Sequence, residues 1–172
     1  LDYYRTDADA FPCMERNLNI LRQWADGFTL KSTNLLLIGK TGLGKTHLST
    51  AVARRVIERG YDVRYESAPQ MFAHLEEERF HAQESTEPYL ACDLLILDDL
   101  GTEPPTQYTT ACLYNILNAR INAARPTIIN TNLSLSDLQE RYNERIASRL
   151  LGEYCPLIFK GEDVRRQKLR KK

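Results

Sequence analysis

Apolar positions along this chain follow two rhythms that alternate. Leu18, Leu21, Trp24, Ala25 and Phe28 step by three and four, which marks one face of a helix opened near Pro12 and closed near Gly27. Leu35, Leu36, Leu37 and Ile38 then form a short continuous apolar run, as in a strand buried on both faces. From Thr46 to Arg59 the sequence returns to helical spacing, with Leu48, Ala51, Val52 and Val56 inward and Gly60 as the stop. Tyr61–Tyr65 is aromatic and β-branched and predicts a second strand. Ser67 and Pro69 open a helix with Met71, Phe72 and Leu75 inward, and Leu94–Leu97 predicts a third strand. Leu113, Ile116, Leu117 and Ile121 mark a helix closed near Pro126, and Thr127–Ile129 a fourth strand. Ser136 with Gln139 reads as a capping box, Ile146, Leu150 and Leu151 as a further helix, and Leu157–Phe159 as a fifth strand. One leading helix followed by alternating strands and helices predicts a three-layer α/β domain around a five-stranded parallel sheet.

Composition narrows the setting. A chain of 172 residues with 42% hydrophobic and 27% charged residues holds one ordinary domain and is not disordered throughout. No apolar run approaches the ~20 residues of a membrane helix, and the N-terminus shows no secretory pattern. The first residue is Leu rather than an initiator Met, which leaves room for a longer parent chain. Cys13, Cys92, Cys112 and Cys155 have no metal-site spacing, so a reducing, cytoplasmic setting is expected. Lys plus Arg and Asp plus Glu number 23 each, yet six of the eight residues from Arg165 to Lys172 are basic. We divide the chain into a domain over 1–165, with residues 1–30 packed on it, and a basic tail over 166–172 that fits contact with a polyanion.

The sharpest motif is Gly39-Lys40-Thr41-Gly42-Leu43-Gly44-Lys45-Thr46, which matches G-x-x-x-x-G-K-[ST] between a predicted strand and a predicted helix. Its glycines allow a turn whose N–H groups face phosphate oxygens, and the helix start adds its positive end. Lys45 would reach the β- and γ-phosphates, and the Thr46 hydroxyl would ligate magnesium; His47 follows on the same turn. Asp98 and Asp99 come directly after the third strand, at the rim where open parallel sheets bind ligands. Asp98 is placed to hold magnesium, largely through water, and Asp99 to take a proton from an attacking water, with Glu103 as the competing base.

In order, LLLIGKTGLGKTHLS, LLILDDLGTE, PTIINTNLS and NERIASRL resemble the AAA+ ATPase domain of the bacterial DnaC/DnaI helicase loaders and the related IstB transposition ATPases, over residues 10–165 or so. The resemblance implies ATP or ADP with Mg2+ as ligands. It makes Asn132 the first sensor, touching the γ-phosphate and the water, with Asn130 as the alternative. Arg149, or else Arg145, becomes an arginine finger acting on a neighbouring subunit, unless these arginines pair with Glu144 or Glu153. Arg165 becomes the second sensor.

As partners, the resemblance implies single-stranded DNA, a replicative helicase held through a domain outside this sequence, and a head-to-tail homo-oligomer. Only about a dozen residues follow Phe159, so the helical lid of most AAA+ proteins is expected to be reduced or absent. The transposition helper is the nearest rival. A small P-loop kinase would need an arginine-bearing lid that is not visible between Pro104 and Thr127, and a GTPase would need an N-K-x-D segment. A nucleotide-dependent adaptor that does not hydrolyse remains open, because Asp99 is shorter than the commoner Glu.

Overall fold

The computed structural model describes residues 4, 5, 7, 9–80, 86–164 and 167. Its elements run α1 (Ala10–Asp26), β1 (Asn34–Ile38), α2 (Lys45–Glu58), β2 (Val63–Ser67), α3 (Ala68–Phe80), α4 (Glu87–Ala91), β3 (Leu94–Leu100), α5 (Gln107–Asn122), β4 (Thr127–Thr131), α6 (Leu135–Arg141), α7 (Glu144–Gly152) and β5 (Tyr154–Ile158). The strands form one parallel sheet in the order β2-β3-β4-β1-β5.

The apolar runs divide by parity, because successive strand residues point to opposite faces. Leu36, Ile38, Leu95, Leu97 and Ile129 join a core with α3, α5, α6 and α7. Leu35, Leu37, Leu94, Ile96 and Ile128 join a second core with α1 and α2. Both faces are covered, so the central strands carry no polar alternation until their C-terminal ends. There every strand points to one rim.

Several elements differ from their sequence expectation. β2 begins at Val63 rather than Tyr61, because the Tyr61 ring packs edge-on against Phe28 at 4.8 Å between the helices. β3 continues through Asp98 and Asp99 to Leu100 across a break in register between Leu97 and Leu100. The capping box is Ser134 with Asp137, not Ser136 with Gln139: the Ser134 hydroxyl accepts from Asp137 N at 3.1 Å, and Asp137 Oδ2 accepts from Ser134 N at 3.0 Å. β5 is Tyr154–Ile158, not Leu157–Phe159; its Pro156 is tolerated because β5 is an edge strand paired only with β1. The five-residue α4 was not foreseen.

Arg120 anchors the end of the sheet opposite the rim, where β3 and β4 begin. It is 1% exposed, and its guanidinium donates to Thr127 Oγ1 at 2.9 Å, Tyr89 O at 2.8 Å, Cys92 O at 3.0 Å and Pro126 O at 2.7 Å. Burial lowers its pKa, and four backbone and hydroxyl oxygens compensate for the missing carboxylate. Among the described residues no helix is long and apolar enough to cross a membrane.

Candidate functional site

β1 delivers the chain to the rim at Ile38, and α2 leaves it at Lys45. Gly44 caps α2 at φ +87°, a left-handed conformation that glycine adopts without steric cost. Gly42, at φ +81°, is needed for a second reason: a Cβ there would lie 2.0 Å from Asp163 Oδ1. The first turn of α2 leaves the N–H groups of Lys45, Thr46 and His47 without intrahelical acceptors, beside the positive end of the helix dipole.

Lys45 is 5% exposed. Its ammonium donates to Gly39 O, to Lys40 O at 3.0 Å and to Asn132 Oδ1 at 2.8 Å. Burial lowers its pKa, opposed by the charges of Asp99 and then Asp98. The sequence places this lysine in the loop; the structure adds that its partner comes from the end of β4. Asn132 thus lies directly after β4, on the rim beside the loop.

The two aspartates part company at the irregularity in β3. Asp98 is 5% exposed and hydrogen-bonded inward: Oδ2 accepts from the Tyr65 hydroxyl at 2.7 Å, and Oδ1 from Asn130 Nδ2 at 2.8 Å and from Asp99 N at 3.0 Å. Asp99 is exposed at φ +55°, a conformation that costs a non-glycine residue on the order of 1 kcal/mol or more and that clusters at functional sites. Asn130, the alternative sensor, is fully buried beneath the rim and also donates to Ser49 Oγ at 2.8 Å. Burial, reinforced by the bond to Asp98, raises the Tyr65 phenol to about 12.

A cavity of about 820 Å³ opens over the loop, within the size range of small-ligand sites. The loop and helix start Thr41–Leu48 line it together with Asp99, Thr102 and Asn132; Tyr4, Met14, Leu18 and Val164 add an apolar wall. The wall is fastened to the loop at both ends of the described chain. The Tyr4 hydroxyl donates to Leu43 O at 2.8 Å, and Val164 N donates to Gly42 O at 3.0 Å. Burial, with the nearby Asp163 charge, raises the Tyr4 pKa. This wall escaped the sequence reading. Tyr4 lies in a terminal stretch without a period, and the spacing of Leu18 puts it on the core stripe of α1; an aromatic pair in an otherwise polar start is the one cue.

Other sequence candidates lie elsewhere. Glu103 is 3% exposed and turned toward α6: Oε2 accepts from Gly101 N at 2.8 Å, Oε1 accepts from the Tyr142 hydroxyl, and Arg141 Nε stands 3.7 Å away. Arg149 does not line the cavity. Its guanidinium donates to Asn118 Oδ1 at 3.0 and 2.6 Å and lies over the Tyr114 ring at 4.8 Å, instead of pairing with Glu144 or Glu153. Arg145 is exposed one turn earlier. Arg165 and the tail residues 166 and 168–172 lie outside the described residues.

The donors on the rim fit a magnesium ion that arrives with its ligand. A carboxylate offers about four lone-pair directions; three on Asp98 are taken, which leaves one on Oδ2, enough for a single contact or a bridging water. Thr46 supplies a hydroxyl at the start of α2, and Mg2+ keeps most of its waters in such sites. Among the described residues no cluster of three His, Cys, Asp or Glu could hold a metal unaided. A buried cation, a helix start and an exposed carboxylate around one cavity can bind a polyanion and activate a water against it.

A family model of IstB-like ATP-binding proteins matches residues 5–171. The chain is 26% identical over 153 residues to the replicative helicase loader DnaC of Escherichia coli K12, covering 86% of this chain and 62% of that protein. It is 29% identical over 153 residues to a Pseudomonas aeruginosa protein of insertion sequence IS21 described as ATP-binding, covering 84% and 57%. The chain thus spans less than two thirds of either relative. The crystal structure of the DnaC helicase loader superposes with a TM-score of 0.79 at 26% identity, covering 86% of this chain and 90% of that one.

Proposed function

The chain belongs to the IstB-like ATP-binding proteins, and from that membership we propose that it binds ATP with magnesium, hydrolyses it, and serves as the ATPase part of a replicative helicase loader. The observation that carries the reading is the 2.8 Å bond from Lys45 to Asn132, with Asp99 on the same cavity. It brings three strand ends to one point, where the γ-phosphate of ATP would lie.

In this reading Lys45 exchanges its loop carbonyls for β- and γ-phosphate oxygens. The N–H groups at the start of α2 bind the phosphates, and Thr46 and Asp98 hold Mg2+. Bound there, magnesium would supply neutralisation of the phosphate charge. Asp99 takes a proton from a water as its oxygen bonds to the γ-phosphorus, and the bond to the ADP oxygen breaks. Asn132 orients that water. The apolar wall of Tyr4, Met14, Leu18 and Val164 receives the base.

Head-to-tail assembly is part of this reading: Arg149, away from its own cavity, would exchange its contacts with Tyr114 and Asn118 for a neighbour's nucleotide. Single-stranded DNA and the helicase are the partners of this reading, the helicase gripped by a segment beyond the matched region. The second reading, an ATPase assisting transposition, is favoured by the family description and the IS21 relative. ATP turnover measured alone, with single-stranded DNA, and with DNA and replicative helicase separates them. Stimulation that needs the helicase supports the loader; stimulation by DNA with no helicase response favours the transposition role; absence of turnover in all three sinks hydrolysis.

A further inference from the structure

Beneath the rim, four side chains from four elements form a closed ring of hydrogen bonds around Asp98. The Tyr65 hydroxyl on β2 donates to Asp98 Oδ2 at 2.7 Å. Asn130 Nδ2 on β4 reaches both Asp98 Oδ1 and Ser49 Oγ at 2.8 Å. Ser49 on α2 stands 3.1 Å from the Tyr65 oxygen and 3.1 Å from Thr46 O. Ser49, Asp98 and Asn130 are at most 5% exposed.

Counting protons fixes the direction of the ring. An ionised carboxylate only accepts, so the single phenolic proton of Tyr65 goes to Asp98. The Asn130 amide uses one N–H on Asp98 and the other on Ser49. Its orientation is set by the carboxylate, since a flipped amide would oppose oxygen to oxygen. Ser49 then has its own proton for either Tyr65 or Thr46 O. Every bond that reaches Asp98 is a donation, and the same ring ties the carboxylate to the backbone of Thr46, the other residue assigned to the metal. Such ring geometry has a specific consequence. With Oδ1 saturated by Asn130 and Asp99 N, and one direction on Oδ2 filled by Tyr65, a single acceptor direction on Oδ2 is left for an ion or its water.

We propose that Tyr65 and Asn130 are positioning residues for the magnesium site: they leave Asp98 one fixed acceptor direction and hold it in register with Thr46. This rests on the nucleotide reading above. Removing the phenol opens a second acceptor direction on Oδ2, which no longer presents one fixed lone pair, and loosens metal binding without touching the phosphate loop. Partners of this kind, one shell out from a metal, typically change metal affinity by about 10- to 100-fold.

The test is equilibrium binding of a fluorescent ATP analogue, titrated in EDTA and then across MgCl2. For the folded wild-type protein, magnesium should tighten binding. In Tyr65→Phe, affinity in EDTA should stay within about twofold of wild type while the magnesium midpoint rises roughly tenfold. Asp98→Asn should abolish the magnesium response, and Tyr65→Phe on top of it should add nothing, because Tyr65 acts through Asp98. If Tyr65→Phe does not fold, Ser49→Ala should raise the midpoint in the same direction. A magnesium response in Tyr65→Phe equal to wild type, or equal losses with and without metal, overturns the proposal. A wild-type protein that binds no analogue in either condition overturns the nucleotide reading itself, and the proposal with it.

Discussion

Gly42→Ala tests the geometry of the loop more directly than any change to its lysine. Two separate costs arise at this position. An L-residue at φ +81° costs about 1–2 kcal/mol in backbone strain. A Cβ placed 2.0 Å from Asp163 Oδ1 must also drive that carboxylate away, and with it the 3.0 Å bond from Val164 N to Gly42 O, worth about 0.5–1.5 kcal/mol net. Together these give about 1.5–3.5 kcal/mol, or roughly ten- to several-hundred-fold in an equilibrium constant. Gly44→Ala isolates the first cost, because Gly44 has φ +87° and its added Cβ would meet nothing within 4 Å. Asp163→Ala removes the second. Denaturant unfolding of the wild type, Gly42→Ala, Gly44→Ala, Asp163→Ala and Gly42→Ala/Asp163→Ala completes a double-mutant cycle with its backbone control. Gly42→Ala should exceed Gly44→Ala, and the excess should vanish in the Asp163→Ala background. Equal losses for both glycines, with no coupling to Asp163, would mean that the segment around Asp163 does not rest on the loop.

Lys45→Met should abolish tight nucleotide binding, measured by fluorescence titration, while leaving the nucleotide-free fold intact. Because burial lowers the Lys45 pKa, the unfolded chain keeps that proton to higher pH than the folded one; wild-type stability therefore gains across the window between the two pKa values, and Lys45→Met should lose that rise in its stability–pH curve. Asp99→Asn should bind ATP and fail to hydrolyse it, whereas Glu103→Gln should chiefly lower the melting temperature by weakening the contacts to Tyr142 and Arg141; a dead Glu103→Gln with an active Asp99→Asn in a phosphate-release assay would exchange their roles. Arg149→Ala should leave ATP binding to the isolated subunit unchanged and cut assembled turnover by about 10³ or more, with partial rescue on mixing with Asp99→Asn protein; unaltered turnover would leave Arg149 as a packing residue on Tyr114.

What could be read from the sequence follows from which physical signals are local. The buried runs at Leu35–Ile38 and Leu94–Leu97 announce a parallel sheet because both faces are covered, and the phosphate loop is legible because its turn, cation and helix start are consecutive. Asp98 and Asp99 take different expected roles from their order after the strand, but their division into a buried and an exposed carboxylate depends on an irregularity in β3 relative to β4. The difference between Asn130, buried under the rim, and Asn132, bonded to Lys45, depends on where β4 ends against the loop. The contacts of Tyr65, Tyr4 and Val164 with the site have no local signal, since each acts across a separation of more than thirty residues. β5 was misplaced for a simpler reason, in that an edge strand may carry Pro and exposed residues and so loses its apolar signature.

Tyr4 and Val164 hold consecutive carbonyls of one loop, at Leu43 and Gly42, and this makes the nucleotide cavity a thermodynamic meeting point for the two ends of the domain. Linkage is reciprocal: whatever free energy a bound ligand contributes to the docking of those end segments, their docking returns to the ligand. A pull on the chain before Tyr4 or after Val164 is then felt first as a change in nucleotide affinity, and an exchange of nucleotide as a change in how firmly the ends are held. The sheet behind them, anchored by Arg120 at the end away from the rim, need not deform for either message to pass.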